Sequence, residues 1–217
     1  MLNSKYMDIT PPVMAAIKAG TPLAVIETGF FMKLPHPGNL AALKSCEESF
    51  WRRDCVPCFV GIVDGRIKVG LTPEDAEKIC AQGEAVNREG IPAMIATHGT
   101  AGVTASAAMC IASLAGVVPV VCPGLTESPS DITALRTTRR AVFCNKVSRD
   151  STNVFVAQGI PVLVTGLADD AVADAYAVLQ DMNFPECAVI PCGPTLADLA
   201  EHTAGAAIAL KKRNNFT

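Results

Sequence analysis

Cys58-Phe-Val-Gly-Ile-Val-Asp-Gly-Arg-Ile-Lys-Val69, followed at once by Gly-Leu-Thr72-Pro-Glu-Asp75, decides the fold class. Two apolar runs flank Asp64-Gly65, the strongest short signal for a β-hairpin, because both turn residues tolerate positive φ. Thr72 then predicts a helix start. Its hydroxyl can cap, Pro73 suits the first helical position, and Glu74 and Asp75 face the positive end of the helix dipole. Reading outward, strands and helices alternate. Leu23–Ile26 is a short strand, and Leu40 to Arg53 has a helical period. Further strands are predicted over Ile91–Ala96, Val117–Cys122, Ala141–Cys144, Ile160–Thr165 and Cys187–Ile190. Helices are predicted over Thr104–Ala115, Asp169–Met182 and Leu196–Thr203, and Lys211–Arg213 as a solvated tail. Strands separated by helices imply a sheet covered on both faces. With 217 residues and no repeat or linker, one domain over 1–217 is expected.

Composition narrows the function classes. Half of the residues are hydrophobic, 18% are charged and the net charge is −3, so nothing attracts a polyphosphate backbone, and no nucleic-acid partner is expected. The best membrane-span candidate, 103–121, is broken by Pro119 and carries Thr104, Ser106 and Ser113, so no membrane partner is expected. The start of the chain carries no secretory pattern. The nine cysteines, mostly inside apolar runs, read as reduced core thiols of a cytoplasmic protein without disulfides. Cys55 and Cys58 form the one CxxC, with no second pair for zinc.

Three polar groups follow strands. Glu27 ends the first one, where a carboxylate either faces a ligand crevice or is an exposed strand-end acid. Asp131 either binds a hard cation or caps a helix. Lys146 is either a desolvated nucleophile or a surface lysine among arginines. His36, between two prolines, is either a base or a solvated loop residue. No Walker A loop, GxGxxG or GxSxG accompanies them.

The strings Ile26-Glu-Thr28, Pro35-His-Pro-Gly-Asn39 and Val60 through Glu74 resemble pseudouridine-5′-phosphate glycosidases, the indigoidine synthase A-like family. Val103-Thr-Ala-Ser-Ala-Ala-Met109 is similar to the family's TTVAATM helix, Ser130-Asp131-Ile132 to its FDISADL stretch, and Ala206–Leu210 with Asn214-Asn215 to its terminus. The resemblance implies a three-layer α/β/α sandwich with a central mixed sheet. It also implies a homotrimer, a divalent cation (Mn2+) and a small-molecule nucleotide substrate. The implied reaction is reversible conversion of pseudouridine 5′-phosphate and water into uracil and ribose 5-phosphate through a lysine imine. Residue by residue, it implies Glu27 and Lys146 as catalytic, Asp131 as metal ligand, and Ala105 and Thr133 as substrate contacts. It departs from the family at Ala85, where a substrate-binding lysine is usual, and over Leu125–Pro129, where a His and an Arg are missing. The alternative is an impaired or inactive member serving as a binding or subunit-partner protein.

Overall fold

The computed structural model describes residues 5–117, 119–138, 141–145, 148–163, 188–192 and 195–214, together with 171, 174, 175 and 178. The expected helix 169–182 lies mostly outside the described residues; its four described positions are helical.

Chain order is β1 (Met7–Ile9), α1 (Pro11–Ala19), β2 (Leu23–Glu27), α2 (Gly38–Trp51), β3 (Val56–Val63), β4 (Arg66–Val69), α3 (Pro73–Gln82) and β5 (Ala85–Val86). Then come α4 (Ile91–Ala96), β6 (Ala101–Val103), α5 (Ala105–Ala115), β7 (Val120–Val121), α6 (Pro129–Thr138), β8 (Ala141–Cys144), α7 (Arg149–Ala157), β9 (Ala188–Pro191) and α8 (Leu196–Asn214). Single 3-10 turns sit at Phe31–Lys33 and Arg88–Gly90.

The sheet runs β1-β4-β3-β2-β7-β8-β9, with β6 on β3 and β5 on β6. β3, β2, β7, β8 and β9 are mutually parallel, whereas β4 and β6 run antiparallel to β3, so the sheet is mixed. Period-two alternation divides the side chains between two cores. Val25, Val60, Val120, Val142 and Val189 face α1, α5, α6 and α7, while Ala24, Ile26, Phe59, Val121 and Phe143 face α2, α3 and α8. This is the three-layer α/β/α arrangement. Phe50 and Leu43 on α2 are buried, each stabilising the layer by about 1.5–3 kcal/mol.

Local signals place several ends. Asp64 (φ 50°) and Gly65 (φ 72°) make the hairpin turn, both in the left-handed region. Thr72 accepts from Asp75 N while Asp75 accepts from Thr72 N, a full capping box on α3.

Four expectations are corrected. Ile91–Ala96 is helix α4, because Pro92 lacks the N–H a ladder needs but fits a first helical turn. The strand beside β3 is instead Ala101–Val103. Among the described residues of the expected Val117–Cys122 strand, the strand is Val120–Val121. Of Ile160–Thr165, residues 160–163 are described and hold one bridge, Val162 to Val189, and 164 and 165 lie outside the described residues. Lys211–Arg213 is not a tail but the last turn of α8.

Candidate active site

The sheet reverses its winding between β2 and β7. β2 is followed by α2 on one face and then by β3. β7 is followed by α6 on the other face and then by β8, on the opposite side of β2 from β3. Such a switch opens a crevice outside the carboxyl ends of the two strands. A cavity of about 670 Å³ lies at this end, lined by Lys33, Glu89, Thr104, Ser106, Gly124, Thr126, Asp131 and Thr133 among others.

Glu27 is the last residue of β2, and alternation turns it to the α5–α6 face. It is 1% exposed. Gly124 N–H donates to its Oε1 across 97 positions of sequence. Burial pushes the Glu27 carboxyl up to about 8; the Gly124 N–H bond and Lys33 oppose the shift, and the Asp131 charge adds to it. At neutral pH the group therefore holds its proton in a dry setting, the condition of a general acid. Burial also raises the neighbouring Cys122 and Cys144 thiols, so no thiolate competes there.

Asp131 enters the same region from the first turn of α6 and is 4% exposed. Its Oδ1 accepts from Ser106 N at 3.0 Å, thereby capping α5, whose own Thr104 side chain does not cap. Its Oδ2 accepts from Thr126 N at 3.0 Å and Thr126 Oγ1 at 2.7 Å. One short segment, Gly124 to Thr126, thus touches both carboxyl groups. A hydroxyl chain borders them. Ser130 Oγ lies 2.5 Å from Glu89 Oε2 and 2.9 Å from Ser106 Oγ, and Ser106 Oγ lies 3.2 Å from Thr104 Oγ1.

The other sequence candidates are placed as follows. Thr133 lines the cavity, with its hydroxyl turned to Pro129 O at 2.6 Å. Ala105 is fully buried, and the cavity is lined by its neighbours Thr104 and Ser106. Lys146 lies outside the described residues. His36 lies 3.3 Å from Glu77 and does not line the cavity. Sequence reading missed Lys33, Glu89, Ser106 and Thr126. Their only signal is position after a strand or at a helix start, which inert residues share.

Among the described residues no three His, Cys, Asp or Glu side chains converge on a metal position. Asp131 gives three of its about four acceptor positions to protein donors. One acceptor position of Asp131 is left, so a hard cation held there would have to be completed by water and substrate oxygens.

The family profile described as "Indigoidine synthase A like protein" matches residues 12–145. A pseudouridine-5′-phosphate glycosidase of Rhodospirillum centenum is 34% identical over 151 residues, covering 64% of this chain and 47% of that protein. Its namesake in Petrotoga mobilis is 31% identical over 128 residues, covering 58% and 42%. The chain thus spans about half the length of the curated relatives it matches. Among solved structures, an indigoidine synthase A-like protein of Thermotoga maritima superposes with a TM-score of 0.78, at 16% identity over 96% of both chains. A prealnumycin C-glycosynthase in complex with ribulose 5-phosphate gives 0.75, at 16% identity over 96% of this chain and 91% of that one. At such identity these two share the fold.

Proposed function

The chain belongs to the indigoidine synthase A-like family, and on that premise we propose that it breaks and makes the carbon–carbon bond of a C-linked pyrimidine ribonucleoside. That is the type of reaction its relatives, named pseudouridine-5′-phosphate glycosidases, carry in their name. The observation that carries this reading is Glu27, a buried carboxyl at the end of β2 that accepts from the N–H of Gly124, a residue lining the cavity at the sheet's switch point, and that burial pushes up to about 8. Such cleavage sends the electron pair of the carbon–carbon bond to the carbon of the departing base, which needs a proton, and leaves an electron-poor sugar carbon that the lone pair of an amine nitrogen must fill. Glu27 supplies the proton. A lysine amine, assigned to Lys146, holds the opened sugar as an imine, and water releases the sugar and regenerates the amine. Net, one water and the C-nucleoside give the free base and the free pentose. Asp131 would hold a divalent cation, Mn2+ in this proposal, which when bound adds positive charge near substrate oxygens. Glu27 is then re-protonated from solvent before the next turnover.

The proposal places the reaction in the cytoplasm, in a homotrimer whose mass sedimentation would read as three chains. Its test is uracil release from pseudouridine and from pseudouridine 5′-phosphate, with Mn2+ present, by wild type and Glu27→Gln. Release from either substrate, lost in the variant, together with borohydride trapping of the pentose on Lys146, supports the reading. No release and no adduct on any lysine would overturn it. A second reading, a family member that binds without turnover, draws on one observation. Of the described residues lining the cavity, Lys33 alone is a lysine or arginine. Saturable sugar binding without uracil release would select it.

A further inference from the structure

Between β7 and α6 the chain turns at Cys122-Pro123-Gly124-Leu125, closed by Leu125 N donating to Cys122 O at 3.1 Å. In such a turn the central peptide, here Pro123–Gly124, has two orientations half a revolution apart. Proline at the second position suits both, and one of them needs positive φ at the third. A Pro-Gly pair favours that one, since glycine enters the left-handed region freely. Gly124 does not have a positive φ, so the chain holds the other orientation. Both edges of the peptide are fastened. On one, Gly124 N–H donates to Glu27 Oε1. On the other, Asn145 Nδ2 donates to Pro123 O at 3.2 Å. A planar trans peptide carries its C=O and N–H on opposite edges. A flip would break both bonds at once and turn the Pro123 carbonyl toward the Glu27 carboxyl, where it would favour the protonated form and repel the ionised one.

Asn145 follows β8, beside β7, where Cys122 N still donates to Phe143 O at 2.7 Å. Its orientation is forced. A backbone carbonyl only accepts, so the carboxamide must present its NH2 group to Pro123 O. The other half of the side chain has no comparable task. Asn145 Oδ1 is buried and finds no hydrogen-bond partner among the described residues. A buried acceptor without a donor costs stability, and an apolar side chain of the same volume would avoid that cost. The donor end is therefore what the carboxamide contributes, and it reaches Glu27 through a single peptide. We propose that Asn145 is a positioning residue for Glu27: it locks the Pro123–Gly124 peptide and so keeps the Gly124 N–H, rather than the Pro123 carbonyl, on the carboxyl. The N–H stabilises the carboxylate left behind when the proton departs. For the use of that proton in turnover, this rests on the reading proposed above; the lock itself does not.

The test is nuclear magnetic resonance of the full chain, labelled with carbon-13 at the proline carbonyls and nitrogen-15 in glycine. The sequence holds two Pro-Gly pairs, Pro37-Gly38 and Pro123-Gly124, so both ends of the locked peptide are read with one other signal beside them. Glu27→Gln identifies the Gly124 signal by abolishing its titration. Wild type is compared with Asn145→Leu, which fills the same volume without a donor, and with Asn145→Ala; either variant that folds suffices. The titratable and charged groups facing Glu27 are Asp131 on α6, Lys33 on the turn after β2, and Cys122 and Cys144 at the ends of β7 and β8, and the substitutions alter none of them. In wild type the Gly124 amide should titrate with Glu27 near about pH 8. In the variants the Pro123 carbonyl signal should move, and the midpoint should rise by at least about 0.5 pH unit, about threefold in the ionisation constant. The kcat of uracil release should fall by about tenfold with KM within about twofold. An Asn145→Leu variant with the wild-type carbonyl signal and midpoint would mean that Asn145 only fills space, and it overturns the inference. So does a midpoint that falls. The signals do not depend on turnover. Signals that move as stated in a chain that releases no uracil refute the catalytic reading and uphold this one. Release by wild type, with both signals unmoved in the variants, upholds the catalytic reading and overturns this one.

Discussion

Replacing Glu27 by glutamine isolates the energy stored in one buried carboxyl. In the folded chain the group titrates at about 8, against 4.5 for the ordinary side chain, and the largest cause is burial. Between those pH values the folded chain keeps a proton that the unfolded chain has released, so unfolding free energy falls as pH rises. The contribution is complete below pH 4.5, declines by up to about 1.4 kcal/mol per pH unit, and is gone above about pH 8, a total of about 5 kcal/mol. Glutamine keeps the carbonyl oxygen that accepts from Gly124 N–H and removes the titration. Urea unfolding followed by far-ultraviolet ellipticity, at each pH unit from 4 to 9, is the assay. Wild type should lose about 5 kcal/mol more than Glu27→Gln across that range. Parallel curves for the two proteins would show that Glu27 is not buried as a neutral acid, and its role as proton donor would fall with that.

Thr72→Ala removes the capping box of α3 and should lower stability by about 1 kcal/mol, read from the urea midpoint at unchanged slope. Gly124→Ala puts a Cβ 2.8 Å from Glu27 Oε1, so the loop must withdraw its N–H. Uracil release should fall by about 10–100-fold, the worth of a hydrogen bond to a charged or ionising group, and wild-type rates would contradict the geometry. Asp131→Ala strands Ser106 N and Thr126 N and should destabilise by about 2–4 kcal/mol in the same urea assay. Among the eight described cysteines, all free, Cys110 alone is not buried. Cys110→Ser should remove the fastest phase of native thiol labelling that belongs to these eight, and an unchanged fast phase would count against the packing of α5.

Sequence alone determined what is local. Asp64-Gly65 fixed the hairpin turn, because only residues that tolerate positive φ can close it. Thr72-Pro73 with Asp75 fixed the start of α3, because cap and partner lie within one turn. The alternation of strands and helices fixed the three layers, because each face must find apolar cover. Position after a strand made Glu27 and Asp131 candidates with their alternatives open, and the family strings added a role for each. Ile91–Ala96 shows the limit. An apolar run of six is strand or helix by period alone, and the antiparallel place beside β3 went to Ala101–Val103 instead. The site itself was decided only in three dimensions. Glu27 meets Gly124 across 97 residues and Asp131 meets Ser106 across 25, contacts that no spacing encodes. Burial, which makes Glu27 an acid at neutral pH, is a property of what the sheet and α5–α6 place around it. A carboxyl's chemistry depends on how much water surrounds it, and that quantity does not exist until the chain has folded.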